Sequence, residues 1–349
     1  MDDGFGNLSL FTRQVLIAVG LLALVAILLY FAGQLIDVML LVFAGILVAV
    51  SIDGVSRLFA RHLPLPRFWT LSLAFLSIVL LLVGLSSLIG PPLMAQFPQL
   101  IQQLPEALEE LTAMLLGLPG IEAALDEVEE PGQLINPLLE QVTKIFTSTF
   151  GAIASFFLIL LIGIYLVLSP SMYLSNALLL FPPALRERWS NVIVTQGRAL
   201  RLWLLSRLIS MLFVGIFISI GLYFMGVPMA GALGLIAGLL TFIPYLGPIL
   251  GMIPTVLIAF LASPELALYA ILLYFVVETL ESNVVMPIAA KGVVRLPPAY
   301  TVIVQLAGAA VAGLAGVILA TPIAVVAVVA VQMLYIEDVL GSKVDVLGK

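Results

Sequence analysis

The stretch Gly231–Phe260, GALGLIAGLLTFIPYLGPILGMIPTVLIAF, constrains the fold of this chain more than any other. It is apolar enough to lie in a bilayer, yet Pro244, Gly247, Pro248, Gly251 and Pro254 interrupt its middle. Proline removes a backbone donor and clashes with the preceding turn, which disfavours one straight helix through the segment. Lipid offers no partner to a free peptide group, so broken backbone at membrane depth survives only where it is buried in protein or lines a wet cavity. The stretch therefore reads as a helix–break–helix hairpin whose tip helps form a passage for something polar.

Composition agrees with a bilayer setting. The 349 residues are 62% hydrophobic and 10% charged, where a soluble chain carries about 25% charged residues. The expected class is an all-α integral membrane protein, a polytopic helical bundle with too many apolar stretches for a single anchor. The net charge of −6 says little, because the charges are segregated along the chain. With no cysteine there is no disulfide framework and no thiolate chemistry. The only histidine, His62, lies in a basic loop, which excludes a His-based metal cluster. No cleavable leader is expected at Val15–Phe31, because another apolar segment follows almost at once.

Along the chain, residues 1–90 read as three spans. Val15–Phe31 and Leu35–Ser51 are expected to form an antiparallel hairpin about Ala32-Gly33-Gln34, and Trp69–Gly90 is the third span. Residues 91–147 differ. They are acidic (Glu106, Glu109, Glu110, Glu122, Asp126, Glu127, Glu129, Glu130 and Glu140, against Lys144), and Leu100, Leu104, Leu108, Leu111 and Leu115 recur at helical spacing. This is expected to be a small helical insert outside the hydrocarbon. Residues 148–349 form the core region. It holds a span at Phe150–Leu168, an interfacial amphipathic stretch at Ser169–Leu202, and spans at Leu204–Met225 and Leu266–Met286. Broken hairpins are expected at 231–260 and again at 300–335, where Gly313, Gly316, Thr321 and Pro322 interrupt an apolar run.

Basic loops at Arg57–Arg67, Arg186–Arg201 and Lys291/Arg295 place those segments, and both termini, on the cytoplasmic side. The two broken stretches then enter from opposite faces, and paired interrupted segments of this kind point to the substrate site of a secondary transporter. The competing reading makes each a tight pair of full spans. The arms are shorter than the roughly 20 residues a span needs, which favours the re-entrant form.

Polar groups inside the apolar runs are few. Glu278 and Glu281 are three apart and share a helical face, with Ser282 and Asn283 beside them. Carboxylates in a membrane helix mark an ion or proton pathway by default, and two neighbours disfavour each other's ionisation, so a proton or small cation could bind. A structural pairing with Lys291, Arg207 or Arg201 is the alternative. Arg198, Arg201, Arg207 and Lys291 suit a basic cytoplasmic vestibule, although a positive-inside signal or lipid phosphate contacts explain such residues more often. The small pairs Gly234/Gly238, Gly247/Gly251 and Ala312/Gly316 permit close helix approach. Tyr245 beside Pro244 either lines the passage or anchors at the interface. No zinc-protease or phosphate-loop motif occurs, no histidine lies in a span to activate a serine, and no basic groove suits nucleic acid. The chain reads as a non-enzyme without a cofactor.

At these segments the chain resembles the AI-2E family of membrane proteins, also described as autoinducer-2 exporters. The resemblance rests on Gly226-Val227-Pro228, Leu233-Gly234-Leu235-Ile236-Ala237-Gly238, Phe242-Ile243-Pro244-Tyr245-Leu246-Gly247-Pro248 and Ile253-Pro254. It continues through Glu281-Ser282-Asn283, Pro287, Lys291 and Pro298 to Gly313-Leu314-Ala315-Gly316 and Pro322. It implies a multi-pass bacterial inner-membrane transporter, a homopentamer, for small solutes such as autoinducer-2; other members are described as sodium or lithium/proton antiporters. One departure stands out: Ser206-Arg207 replaces the Gly-Gln expected at the start of the fifth span. Three readings follow. The chain exports a small polar solute through a passage formed by Pro244, Tyr245, Gly247, Pro248, Gly313, Gly316, Pro322 and the Glu278/Glu281/Asn283 face; or it exchanges a monovalent cation for a proton at Glu281; or it is a non-transporting scaffold whose acidic insert binds a partner.

Overall fold

The computed structural model describes residues 10–116, 149–289, 292, 294, 296–342 and 346. Among these residues every regular element is a helix, and five helices are long and apolar enough to cross a membrane. The all-α membrane architecture expected from composition is what the chain adopts.

The first helix, α1, runs unbroken over Leu10–His62. This corrects the antiparallel hairpin expected about Ala32-Gly33-Gln34. No proline occurs in the segment, and a lone interior glycine costs only about 1 kcal/mol, less than terminating and recapping two helices. Leu10 and the 63–66 loop therefore lie at opposite ends of one helix. Pro64 and Pro66 end α1. The second helix, α2 (Arg67–Leu116), does not stop at Gly90 but carries the third span onward into the first part of the acidic segment. Its Gln96 Oε1 accepts the Ala232 N–H at 3.0 Å, and Leu100 and Leu104 of the expected apolar face pack into a core cluster with residues 214–277. Residues 117–148, the rest of the acidic insert, lie outside the described residues.

Helix α3 (Thr149–Leu168) is followed across Ser169 by α4 (Pro170–Leu178), bent from it by 86°. Helix α5 spans Arg186–Phe224. The stretch expected as interfacial, Ser169–Leu202, divides between α4 and the first part of α5, which continues unbroken into the expected span. Its 39 residues make α5 about 58 Å long, and two stripes divide its surface. Leu205, Leu208, Leu212, Ile216 and Ile220 are exposed, while Trp203, Ser206, Ser210, Val214, Ile218 and Leu222 are buried. In a bilayer the first stripe meets lipid. The second carries two hydroxyls into the protein interior.

The two broken hairpins sit on this second stripe. The first comprises α6 (Ala230–Leu240) and α7 (Leu246–Ala262), separated by a break at residues 241–245. The reversal is narrower than the prolines suggest: Pro248 lies in the first turn of α7, where no N–H partner is lost, and Pro254 is carried inside the helix. Helix α8 (Pro264–Leu280) returns along α7 and passes into a π-turn, Glu281–Val285, and then α9 (Met286–Ala289).

The second hairpin is α10, Pro298–Ala330, whose backbone reverses at Ala312 (φ −143°, ψ 24°) and Gly313 (φ 57°, ψ −137°). Gly316, Thr321 and Pro322 do not break the chain; they lie in the returning arm. Contacts along α5 fix the direction of both hairpins. Met333 meets Arg188, Val326 meets Gln196, the Phe242 ring meets Trp203 at 5.4 Å, Gly238 lies against Met211 and Gly234 against Ser219. The hairpins approach from opposite ends of α5, and the tip of the first meets the arms of the second near its middle.

Candidate functional site

Where the first tip meets the arms of α10, the backbone is strained. Tyr245 has φ 63° and ψ −50°, and the Leu246 N–H reaches the Pro244 carbonyl at 2.7 Å. This is a γ-turn of the rare positive-φ kind. A non-glycine residue held there costs on the order of 1–3 kcal/mol and persists only where its surroundings over-determine it. Two neighbours do so. Gly247 lets the start of α7 fold against the Leu240 carbonyl, a position where any Cβ would collide with backbone. Gln305, fully buried on the outgoing arm of α10, donates from Nε2 to the Pro244 carbonyl at 2.9 Å and to Thr321 Oγ1 on the returning arm at 3.2 Å. One amide therefore joins three strands of chain. Its Oε1 is buried without a hydrogen-bond partner.

Beside this junction lies a charged cluster. Arg207 and Ser210 are three apart on the buried side of α5, and Glu278 and Glu281 are three apart at the end of α8. The Ser210 hydroxyl donates to Glu281 Oε1, and Glu281 is only 7% exposed. Arg207 lies within electrostatic range of Glu281, Tyr245 and Glu278. Its Nε and the Glu278 Oε1 are both buried without hydrogen-bond partners. The guanidinium cannot shed its proton, so it offsets one carboxylate and leaves the cluster one negative charge in excess when both glutamates are ionised. Deeper along α8, the Tyr274 hydroxyl and Thr255 lie 3.1 Å apart, and a Cβ on Gly251 would stand 3.3 Å from that hydroxyl.

The residues singled out from sequence are thus divided. Pro244, Tyr245, Gly247, Glu278, Glu281 and Arg207 are brought around one locus. Pro248 supports it from the first turn of α7, and Gly316 and Pro322 are buried in the returning arm of α10, whereas Gly313 at its tip is exposed. Asn283 stands apart: it is exposed in the π-turn, and its amide donates to Thr279 O at 2.9 Å. The basic vestibule separates as well. Arg201 binds Asp53 of α1 at 2.9 Å, and Asp53 also holds Arg57 and Arg67. Arg198 is exposed near Arg201. Lys291 lies outside the described residues.

Gln305 and Ser210 stand in no expectation from the sequence, and Thr321 only as an interruption of the apolar run. Gln305 is the only amide side chain in the apolar run 298–330, a signal that was available. Ser210 carried none, because nothing in sequence says which face of a spanning helix meets protein.

The profile described as AI-2E family transporter matches residues 19–336. Of two similar proteins from Bacillus subtilis (strain 168), the one named "Putative transport protein YueF" is 25% identical over 295 residues, covering 80% of this chain and 79% of that protein. The one named "Putative transport protein YrrI" is 31% identical over 156 residues, 45% of this chain and 44% of that protein. With its apolar helical bundle and a match over nearly its whole length, the chain belongs to the AI-2E transporter family and is a membrane transporter.

Proposed function

We propose that the protein exports a small polar solute across a bacterial inner membrane, an autoinducer-2-like signalling molecule being the solute that family resemblance favours. The passage runs between the hairpin tips and past Arg207, Glu278 and Glu281. The observation that carries this reading is the packing of the first hairpin's chain reversal, at Pro244, against the buried Gln305 on the outgoing arm of the second, because non-helical backbone at membrane depth is tolerated where it is buried in protein or lines a cavity. The acidic insert faces the outside, the C-terminus lies in the cytoplasm, and a homopentamer is the working assembly. Vesicles containing the protein should release loaded solute, and Gly247→Val, which drives a side chain into the Leu240 backbone, should abolish release. Release at the normal rate from Gly247→Val vesicles would remove the tip from the pathway.

Exchange of sodium or lithium for a proton is the second reading, favoured by the unpartnered Glu278 Oε1 in a cluster of two carboxylates and one guanidinium. Ser210 already binds Glu281, so the exchanging group is Glu278 rather than the Glu281 expected from sequence. A pH-sensitive dye inside vesicles should respond to a sodium or lithium pulse, and the response should vanish in Glu278→Gln. A response that survives in Glu278→Gln excludes that residue.

A further inference from the structure

Among the described residues a single side chain hydrogen-bonds from one hairpin to the other, and its hydrogen bonding is lopsided. Gln305 Nε2 serves both the Pro244 carbonyl and Thr321 Oγ1, while Oε1 serves nothing. The assignment of oxygen and nitrogen is fixed by chemistry: with the amide turned over, Oε1 would face the Pro244 carbonyl oxygen, acceptor against acceptor. Thr321 is indifferent to the choice, since a hydroxyl both donates and accepts. One rotation of the amide therefore keeps the link within the second hairpin and cancels the link to the first.

We propose that Gln305 is the positioning residue that couples the two hairpins, holding the strained Pro244–Leu246 turn against α10 and releasing it by turning over its amide. The energetics suit a reversible link. The Pro244 carbonyl retains the Leu246 N–H when Gln305 lets go, so no buried carbonyl is left bare. The bare group in the coupled form is Gln305 Oε1; turning the amide gives Oε1 the Thr321 hydroxyl but puts Nε2 where Oε1 had no partner, so the coupled form is the favoured one and the released form the minor one. Releasing the tip also gives the positive-φ Tyr245 freedom to relax. Hairpins packed only through small residues would slide independently; a polar link makes their separation a discrete two-state event.

The inference bears on transport only through the reading of the hairpins as walls of the passage. Its test measures distance, not transport, so either can fail alone. The chain has no cysteine, which allows spin labels on cysteines introduced at the exposed Ile249 and Val311 of the full-length protein in lipid vesicles. The parent should give one narrow inter-label distance. Gln305→Met fills the same volume without a donor, and it should raise the population at other distances on the order of five- to tenfold, as loss of one hydrogen bond predicts. Labels at Leu205 and Ile216, both on α5, should keep their distance and report an intact fold. An unchanged narrow peak in Gln305→Met, or a broad distribution in the parent, overturns the proposal. If the α5 pair shows that Gln305→Met is unfolded, Gln305→Asn, one methylene too short to reach, decides by the same criterion.

Discussion

Gly308 and Gly316 lie back to back across the second hairpin, so close that a Cβ on Gly308 would stand 2.5 Å from the Gly316 carbonyl oxygen. Eight positions apart in sequence, they would be about 12 Å apart along a straight helix. Their contact is what makes residues 298–330 a hairpin rather than a span.

Gly316→Leu should therefore splay the hairpin, since its side chain would meet the Gly308 backbone. Overpacking of this kind costs about 1–3 kcal/mol or more. The melting temperature in detergent should fall accordingly, whereas Gly197→Ala, with nothing within 4 Å of the added Cβ, should match the parent or exceed it. Equal melting of the two variants would refute the close contact.

Removing Arg207 leaves Glu278 and Glu281 without their counter-charge. Breaking a buried charge cluster by deleting one partner costs about 3–5 kcal/mol. Arg207→Gln should unfold earlier in a thermal scan, and adding Glu281→Gln should restore part of the loss. Strict additivity of the two changes would show that the residues do not interact.

Asp53 gathers Arg57, Arg67 and Arg201 from three helices, of which only Arg201 is mostly shielded. Asp53→Asn should destabilise the packing of α1 on α5 by about 2 kcal/mol, the worth of a hydrogen bond to a charged group. The deficit should shrink at high salt, which screens the exposed guanidiniums left in mutual repulsion. A melting difference that does not vary with salt would contradict the charge argument.

Arg188 fastens the C-terminal π-turn (Val331–Glu337) to the start of α5 through Met333 O at 2.6 Å, Glu337 at 2.8 Å and Asp338 at 2.9 Å. In Arg188→Ala, amide hydrogen exchange over residues 331–338 should quicken at least tenfold while residues 214–222 stay protected. Unaltered exchange at 331–338 would show that the π-turn is held by its own backbone alone.

Much of this molecule is legible in its sequence. Apolar runs and breakers act locally, through hydration and the missing N–H of proline, so the membrane class and both hairpins could be read directly. Local rules also misled where context was decisive. Gly33 looks like a turn, yet α1 runs through it, and Pro254 and Pro322 look like breaks but lie within helices.

What the sequence by itself determined is which segments are apolar enough for lipid and where the two broken hairpins bend, because transfer free energies and backbone sterics belong to residues one at a time. What only the tertiary structure decided is which polar groups share a locus. Ser210 and Glu281 are 71 positions apart, and Gln305 and Pro244 are 61 apart. Their meeting depends on which face of α5 the hairpins cover, and an apolar helix flanked by lipid on one side and protein on the other carries no hydropathy contrast to announce it.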